Sequence, residues 1–484
     1  MITAMVPDIV RRRLSTLDTR IDPYSWLVTG VITVVAGILR LTGITQPRKL
    51  VFDEIYYPTD AWDMLTHGVE WDEKSDSAGY VVHPPLGKWL IAAGEKVLGN
   101  TELGWRLPTA LAGTLMVLLL IRIAYRMFHS MVLAGAAGLL MTLDGFQLVL
   151  SRTSLLDIFL GLFILATFGA MVIDRDHYRR AQLRALETGS FRYTPWWLLA
   201  TGVLYGLACA VKWSALFFLP AFALLIVVWR VQARRSAGRT SPIRRGIAGD
   251  LGWGVFSFAL AFGTYLASWT GWLVTDDGFY RHWRAANGMG EPPFLGALLN
   301  LWHYHSEAYG FHSNLTTPHP YQSWPWQWLL LGRPVAFDWT TPAGCGAPSC
   351  AREILLLGTP LLWWSFLPAL IALIWLAVAR RDWRAYAILA VTAAGLLPWF
   401  WFAATDHRTM FSFYVMPALP FLILAVVYVL GAIVAAQRAA GIALAAAYVV
   451  LVAVCFAYFW PIFTDQPIPY DSWSDRMWLG NRWI

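Results

Sequence analysis

Long apolar runs separated by shorter polar segments make up most of the chain. Each run has about 20 residues, the length that an α-helix needs to cross a hydrocarbon core about 30 Å thick. The pattern predicts an all-α polytopic membrane protein with about eleven transmembrane helices in one membrane domain over residues 24–461. The predicted spans are 24–46, 106–127, 131–150, 153–173, 195–211, 213–230, 251–271, 353–378, 385–404, 411–435 and 441–461.

Two polar segments are too long to be simple connectors between spans. Residues 47–104 contain two helix-like stretches, near 56–67 and 85–98, whose mixed apolar and charged faces suit the membrane surface. Residues 272–352 form the second segment, which is rich in Trp, His, Pro and Gly. We expect both to be extracytoplasmic loops that carry short surface helices, and we expect no separate soluble domain.

The composition supports a membrane protein, and the distribution of charge orients it. Hydrophobic residues make up 57% of the chain and charged residues 14%, with a net charge of +7. Short basic connectors mark the cytoplasmic side of a membrane protein, so the charge reports topology and does not indicate a nucleic-acid partner. This places residues 1–23 in the cytoplasm and the tail 462–484 outside. The basic connectors include 11–13, 174–194, 234–245 and 380–384.

Ionisable side chains occur at the ends of several predicted spans. Such a group at membrane depth costs about 2.5–3.5 kcal/mol, so a function is expected of it. In the predicted topology all of them lie at the outer face, beside an acidic pair that follows the first span. Basic groups there suit an anionic phosphate, and carboxylates suit proton transfer with a hydroxyl. The single groups are Arg40, Asp157, Lys212 and Arg408, and the pair is Asp53 and Glu54.

Other interpretations of these groups are open at this point. Any of the charges could belong to a structural ion pair, and Arg152 with Asp157 could form one locally. A secondary transporter is less well supported, because transporters place charges at mid-membrane within internal repeats and no repeat is visible. The histidines of the second loop have only one carboxylate, Glu307, close to them in the sequence, so we predict no metal site.

Two cysteines lie close together in the second outer loop. Cys345 and Cys350 are part of a segment rich in Gly and Pro. We predict a disulfide between them, which would add about 2 kcal/mol by the chain-entropy model. A disulfide implies an oxidising compartment, in agreement with an outer location of this loop.

Short polar motifs follow one another in order along the chain. They are Phe52-Asp53-Glu54, His83-Pro84-Pro85-Leu86-Gly87-Lys88, Gly104-Trp105-Arg106-Leu107-Pro108, Ser151-Arg152, Leu156-Asp157, Lys212-Trp213, His319-Pro320-Tyr321, Arg333-Pro334-Val335 and a segment from Arg408 to Pro417. In this order they resemble the protein O-mannosyltransferase family, whose members have the GT-C fold. The resemblance covers nearly the whole membrane domain, and the ordered set is more specific than any single motif.

The resemblance implies an activity and its partners. Members of the family transfer mannose from a polyprenyl or dolichyl phosphate to Ser/Thr hydroxyls of proteins, with inversion at the anomeric carbon. The implied partners are a polyprenyl phosphate mannose donor, secreted or membrane proteins as acceptors, and membrane lipids, and an association with the protein translocon stays open. No cofactor is firmly implied, and a requirement for a divalent cation stays open. A related transferase that acts on a lipid or polysaccharide acceptor is the alternative.

The resemblance also implies roles for individual residues. Asp53 would be the general base on the acceptor hydroxyl, and Glu54 would orient the site. Phosphate contacts would come from Arg152, Lys212 and Arg408. The remaining substrate-binding candidates are Arg40 and Arg106, which would brace the carboxylates, together with His83, Lys88 and Asp157.

The length of the second loop bears on the source of the protein. Eukaryotic members carry a large β-trefoil domain there, and residues 272–352 are too few to hold one. The resemblance therefore implies a bacterial member in the cell (inner) membrane, with its active site on the extracytoplasmic face.

Overall fold

The computed structural model describes residues 6–16, 22–293, 295–405 and 407–484. Part of the predicted cytoplasmic segment 1–23 therefore lies outside the described residues. In the described part, eight helices are long and apolar enough to cross a membrane. They are Pro23–Leu41, Glu102–Phe128, Asp157–Thr188, Trp213–Ser236, Pro242–Ser268, Pro360–Arg380, Trp383–Thr405 and Leu419–Phe463.

The longest of these helices contains two of the predicted spans. Leu419–Phe463 has 45 residues and leaves helical geometry at Arg438, where φ is 43° and ψ is −109°. The chain folds back there. This is seen at Gly441, where an added Cβ would lie only 2.7 Å from the carbonyl oxygen of Ile433, eight residues earlier. Met131–Thr142 and Trp196–Val211 are shorter apolar helices. The total of about eleven spans stays a prediction.

Two predicted spans have different limits in the structure. The span expected at 131–150 is divided into Met131–Thr142 and Gly145–Leu150. Asp144 separates the two helices, and its carboxylate accepts hydrogen bonds from the backbone N–H of Gln147 and the indole N–H of Trp363. The span expected to begin at residue 353 begins later, because Cys350–Leu356 is a β-strand and the helix starts at Pro360.

Short elements fill the polar segments between the long helices. The first segment contains the 3-10 turn Phe52–Ile55, the helices Tyr57–Thr66 and Leu86–Leu98, and a hairpin of Trp71–Asp72 with Ser77–Ala78. Both helices agree with the stretches expected near 56–67 and 85–98. The other short helices are Asp8–Leu14, Thr270–Val274, Trp283–Ala286, Leu295–Ser313, Pro325–Trp328 and Tyr470–Ser474, with 3-10 turns at Ser412–Val415 and Gly480–Arg482.

A small antiparallel sheet was not expected from the sequence. Val335–Thr340 pairs with Cys350–Leu356, which in turn pairs with Ile468–Pro469 from the C-terminal segment. A disulfide joins Cys345, in the connection between the first two strands, to Cys350, the first residue of the second strand. The sheet therefore attaches the C-terminal segment to the second polar segment.

The helices differ in how far the rest of the chain covers them. Asp157–Thr188 is the most central, with 78% of its apolar window buried, whereas Pro242–Ser268 is only 11% buried. This peripheral helix packs closely on Trp196–Val211. At Gly202 the approach is so close that an added Cβ would lie 2.1 Å from the carbonyl oxygen of Ser257. Close contact at small residues is the usual packing of membrane helices. The central helices carry Arg106 and Asp157 near their N-terminal ends.

Candidate active site

The acidic pair lies in the 3-10 turn Phe52–Ile55, and Glu54 is its buried anchor. The Arg106 guanidinium donates to the Glu54 carboxylate from Nε at 2.8 Å and from Nη2 at 2.7 Å. Both side chains are 0% exposed. The same carboxylate accepts from the backbone N–H of Ser154 at 2.9 Å and of Val51 at 3.1 Å. These contacts fix the turn against the central helices, with Arg106 bracing the carboxylate of Glu54.

Phe52 holds the other side of the turn. Its φ of 48° lies in the left-handed region, which a bulky residue adopts only when its surroundings impose it. Its ring stacks on Phe337 with centroids 4.9 Å apart and meets Phe411 and Phe413 edge-on at 6.0 Å. Packing on one side and the Glu54 ion pair on the other therefore determine where Asp53 lies.

Asp53 itself is half-buried, and its carboxylate has no hydrogen bond or ion pair within the described residues. Burial is the main cause that raises the pKa of Asp53 to about 6. The positive charge of Lys212 lowers this pKa, and the negative charge of Asp157 raises it. A carboxylate with this pKa is mostly ionised at neutral pH and can still accept a proton. Asp53 therefore has the properties of a general base.

Lys212 and Asp157 form an ion pair beside Asp53. The Lys212 ammonium donates to the Asp157 carboxylate at 2.7 Å, and both side chains are nearly buried. Lys212 follows the helix Trp196–Val211 with an extended backbone, and Asp157 begins the helix Asp157–Thr188. Two membrane helices are thus joined at the level of the candidate base. The partner of Asp157 is Lys212, not the locally available Arg152.

Lys212 also lines a cavity of about 210 Å³. Arg408 supplies a second cation, and its guanidinium is held by a hydrogen bond from Nε to the carbonyl oxygen of His312 at 3.0 Å. Burial lowers the pKa of His312 to about 4, so this ring is neutral at pH 7. The cavity is lined by His83, Lys212, Trp213, Ser214, Leu216, Phe217, Tyr309, His312, Ser313, Trp399, Phe402, Arg408 and Tyr414. Two cations thus face a small space with aromatic walls.

Two apolar cavities continue from this one along the helix surface. A cavity of about 530 Å³ shares Trp213, Leu216 and Tyr309 with it. A further cavity of about 390 Å³ shares Tyr205, Phe258 and Ala261 with the second. The three together form a largely apolar path from the two cations along the peripheral helix.

Two predicted contacts are corrected by the structure. Arg152 does not line the cavity, because its guanidinium donates to carbonyl oxygens at the end of the first membrane helix, among them those of Arg40, Thr42 and Gly43. Arg40 is fully buried and donates to the Ala36 carbonyl oxygen and the Gln147 side chain. It therefore does not brace Asp53 or Glu54. Both arginines instead satisfy polar groups inside the bundle.

The His-Pro-Pro-x-x-Lys motif has two different positions. His83 lines the cavity, and its ring lies 5.3 Å from that of His312. Lys88 is 1% exposed and pairs with Glu70 and, at 3.7 Å, with Asp60. Its ammonium is thus neutralised by carboxylates within the first polar segment, and Lys88 is not among the residues that line the cavity.

Several residues of the cavity were not anticipated. Tyr414 and Trp399 stack with centroids 4.5 Å apart, and the Arg408 guanidinium lies 5.7 Å from the Tyr414 ring centroid. His312 is one of the second-loop histidines, for which the sequence favours a substrate or loop-packing role over a metal site but assigns no specific contact. In a chain with 28 Trp and 19 Tyr residues, no local pattern separates these aromatic residues from the rest of the core.

Comparisons with known proteins agree over nearly the whole chain. Residues 30–269 match the family model for dolichyl-phosphate-mannose-protein mannosyltransferase, and residues 297–483 match that for the C-terminal four-transmembrane region of protein O-mannosyltransferase. The polyprenol-phosphate-mannose–protein mannosyltransferase of Mycolicibacterium smegmatis (strain ATCC 700084 / mc(2)155) is 39% identical over 94% of this chain and 92% of its own length. The Corynebacterium glutamicum enzyme of the same name is 35% identical over 95% of this chain and 94% of its own length.

Solved structures share the fold at low sequence identity. The Saccharomyces cerevisiae protein O-mannosyltransferase Pmt1–Pmt2 complex, solved with its sugar donor, matches with a TM-score of 0.74 at 16% identity, over 99% of this chain and 94% of that chain. ArnT from Cupriavidus metallidurans matches with a TM-score of 0.51 at 18% identity, over 90% and 70%. The chain has the GT-C fold, and it belongs to the protein O-mannosyltransferase family.

Proposed function

We propose that this protein transfers mannose from a polyprenyl phosphate mannose donor to Ser/Thr hydroxyls of proteins, with inversion at the anomeric carbon. The observation that carries this proposal is the position of Asp53. It is a half-buried carboxylate without a hydrogen-bond partner among the described residues, and it interacts electrostatically with Lys212, one of the two cations that line the cavity. The names of the full-length bacterial relatives support the donor and the protein acceptor.

The two cations would bind the phosphate of the donor. Arg408 has no carboxylate partner within the described residues, and Lys212 shares its charge with Asp157. As the bond between the sugar and the phosphate breaks, negative charge increases on the phosphate oxygen that leaves. Cations fixed beside that oxygen stabilise the transition state more than the ground state. Arg408 would supply most of this stabilisation.

The apolar path would hold the polyprenyl chain. A phosphate placed between Lys212 and Arg408 would lie in the first cavity, which both residues line, and the two further cavities provide about 530 and 390 Å³ of mainly apolar space. Isoprene units contain no polar atoms, so they bind such surfaces through the hydrophobic effect. A soluble nucleotide sugar would gain nothing from this path, which is why we favour a lipid-linked donor.

Asp53 would take the proton of the acceptor hydroxyl. The hydroxyl oxygen attacks the anomeric carbon, its proton goes to the Asp53 carboxylate, and the polyprenyl phosphate leaves with the electrons of the broken bond. One displacement inverts the anomeric configuration and needs only one carboxylate. A retaining mechanism would need a second carboxylate as nucleophile. Glu54 is already bonded to Arg106, so it serves to position Asp53 and is not a second reacting group.

We further propose that this site is on the extracytoplasmic face of a bacterial inner membrane, with the N-terminal segment in the cytoplasm. Arginine-rich connectors such as 174–194 and 380–384 belong to the end of the helices opposite Asp53, in agreement with the positive-inside rule. The disulfide between Cys345 and Cys350 suits an oxidising compartment. We also expect proteins emerging from the translocon to be the acceptors.

The test is a transfer assay with the purified protein in liposomes. Polyprenyl phosphate mannose labelled in the sugar is offered with a Ser/Thr-containing peptide, and a matched peptide with Ala at each Ser and Thr is the control. We expect label in the first peptide alone, and we expect α-mannosidase to release it. No label in either peptide would contradict the proposal, and label in a lipid or polysaccharide product distinct from the donor would favour the alternative acceptor.

A further inference from the structure

A large polar cavity lies at the end of the helix bundle opposite Asp53. Its volume is about 720 Å³. The helix that begins at Asp157 in the active site reaches this cavity at Arg175, 18 residues later, which is a distance of about 27 Å at 1.5 Å per residue. We call it the arginine cavity, after Arg126, Arg175, Arg179, Arg235, Arg380, Arg381 and Arg384, which line it together with Asp176 and Asp382.

The arginine cavity has far more positive than negative charge. Asp176 pairs with Arg126 at 2.8 Å and with Arg175 at 3.0 Å. Asp382 pairs with Arg384 at 2.6 Å. Seven guanidinium groups thus face two carboxylates, a formal excess of five positive charges. Within the described ranges, the four arginines without an ion pair to a carboxylate are Arg179, Arg235, Arg380 and Arg381.

Some of these arginines are held in place before any ligand arrives. Arg175 is nine-tenths buried, and its guanidinium lies 3.6 Å from the centroid of the Trp383 ring. The Nε atom of Arg179 is buried and has no hydrogen-bond partner. A buried donor without a partner costs about 1–3 kcal/mol. An acceptor in the cavity would remove that cost.

Membrane topology alone does not explain this arrangement. The positive-inside rule requires basic residues in short connectors, and separate exposed side chains satisfy it. Here the side chains come from five helices and converge on one concave space. Like charges that converge in this way repel one another unless an anion lies between them.

We propose that the arginine cavity binds a phosphate group, from either an anionic lipid headgroup or a soluble phosphate. Guanidinium groups match phosphate oxygens with paired hydrogen bonds, and basic pockets between membrane helices bind phosphate headgroups. The anion would hold together the ends of the helices Glu102–Phe128, Asp157–Thr188 and Trp383–Thr405. This site is separate from the one that we assign to the donor, and it does not depend on the proposed function.

The chain offers a matched pair of double variants for the test. Arg380→Gln with Arg381→Gln removes two adjacent exposed arginines from the cavity. Arg244→Gln with Arg245→Gln removes two adjacent exposed arginines that do not line it. Diffuse attraction to anions is weakened equally in both. Only direct contact with a bound phosphate distinguishes the two double variants. The distinction is clearest at 0.15 M salt, where interactions between charges more than about 8 Å apart are screened.

Binding is measured by titration calorimetry on the full chain in neutral detergent. One arm uses short-chain phosphatidylglycerol and the other uses inorganic pyrophosphate. We expect saturable binding in at least one arm, weakened about tenfold or more by the cavity variant and less than twofold by the control. Binding of the lipid alone identifies a headgroup as the source, and binding of pyrophosphate identifies a soluble anion.

Two results would overturn the proposal: no saturable binding in either arm, or an equal loss in both double variants. An unchanged Tm shows that the variants are folded, without relying on the proposed function. If the cavity double variant does not fold, Arg179→Gln replaces it, because it changes one half-buried side chain and leaves the exposed turn intact.

Discussion

Replacing Arg106 with Met tests the role assigned to Glu54. The variant leaves the Glu54 carboxylate fully buried and without its cation, and it removes the donor from the backbone carbonyls of Ile44, Gln46, Pro47 and Lys49. Breaking a buried pair by removing one partner costs about 3–5 kcal/mol. We expect this loss of stability, and we expect mannose transfer to fall with it, because the turn that carries Asp53 is released.

The magnitude can be checked by thermal unfolding. Unfolding entropy is about 2.1 cal/mol/K per residue, so a chain of this length that unfolds as one unit loses roughly 1 °C of Tm per kcal/mol. Arg106→Met should therefore lower Tm by about 3–5 °C. Lys49→Met is the matched control, since Lys49 pairs with Asp338 at 2.7 Å but is 47% exposed. An exposed pair contributes about 0–1 kcal/mol, so this variant should change Tm by about 1 °C or less.

The double variant Glu54→Leu with Arg106→Met completes the test. It removes both buried charges, so it should recover much of the stability that the single variant loses. Equal Tm values for Arg106→Met and Lys49→Met would refute the reasoning. A double variant less stable than Arg106→Met would also refute it, because the Glu54 carboxylate would then stabilise the fold even without its cation.

Three further predictions follow from the site. The rate of transfer should fall as pH decreases through about 6, because Asp53 must be ionised to accept a proton, and a pH profile measured at saturating donor checks this. Arg408→Gln should weaken donor binding about tenfold or more, measured as the Kd of a non-reactive donor analogue. Cys345→Ser with Cys350→Ser should lower stability by about 2 kcal/mol and leave the rate of transfer unchanged, measured by thermal unfolding and the transfer assay.

The sequence predicts which residues form the candidate active site, but it does not divide the roles between Asp53 and Glu54. Asp53 and Glu54 are adjacent and chemically alike, but neighbouring residues of a 3-10 turn point about 120° apart, so Glu54 is buried in the bundle and Asp53 stays half-buried near Lys212. Which of them meets Arg106 depends on the packing of Phe52 and its φ of 48°, and no local rule supplies that value for a phenylalanine.

Arg40 and Arg152 show why charges at one membrane face need not share a site. Their sequence positions put both at the outer ends of predicted spans, the same end at which the sequence places Asp53. Residues at the same end of a helix can, however, lie on different faces of it. These two side chains lie on faces that contact carbonyl groups and Gln147 inside the bundle. Asp157 and Lys212 illustrate the opposite case, since residues 55 positions apart form one ion pair.

The small sheet and the aromatic walls depend on contacts that are distant in the sequence. Cys350–Leu356 reads as the start of an apolar span, and only its pairing with Val335–Thr340 and Ile468–Pro469 makes it a strand. Short apolar runs do not distinguish a strand from a helix by their periodicity. In the same way, Tyr414 and Trp399 become part of the cavity only through the turn that brings them next to Arg408.

The central claim is that Asp53 is the general base, and the variant Asp53→Asn tests it most directly. The change removes the charge but keeps the shape of the side chain, and Glu54 and Arg106 still hold the turn. In single-turnover experiments with bound donor, we predict transfer to a Ser-containing peptide that is slower by about 10²–10⁴-fold, with donor affinity and Tm close to those of the unchanged protein. Transfer at the unchanged rate with the donor fully bound would contradict the account.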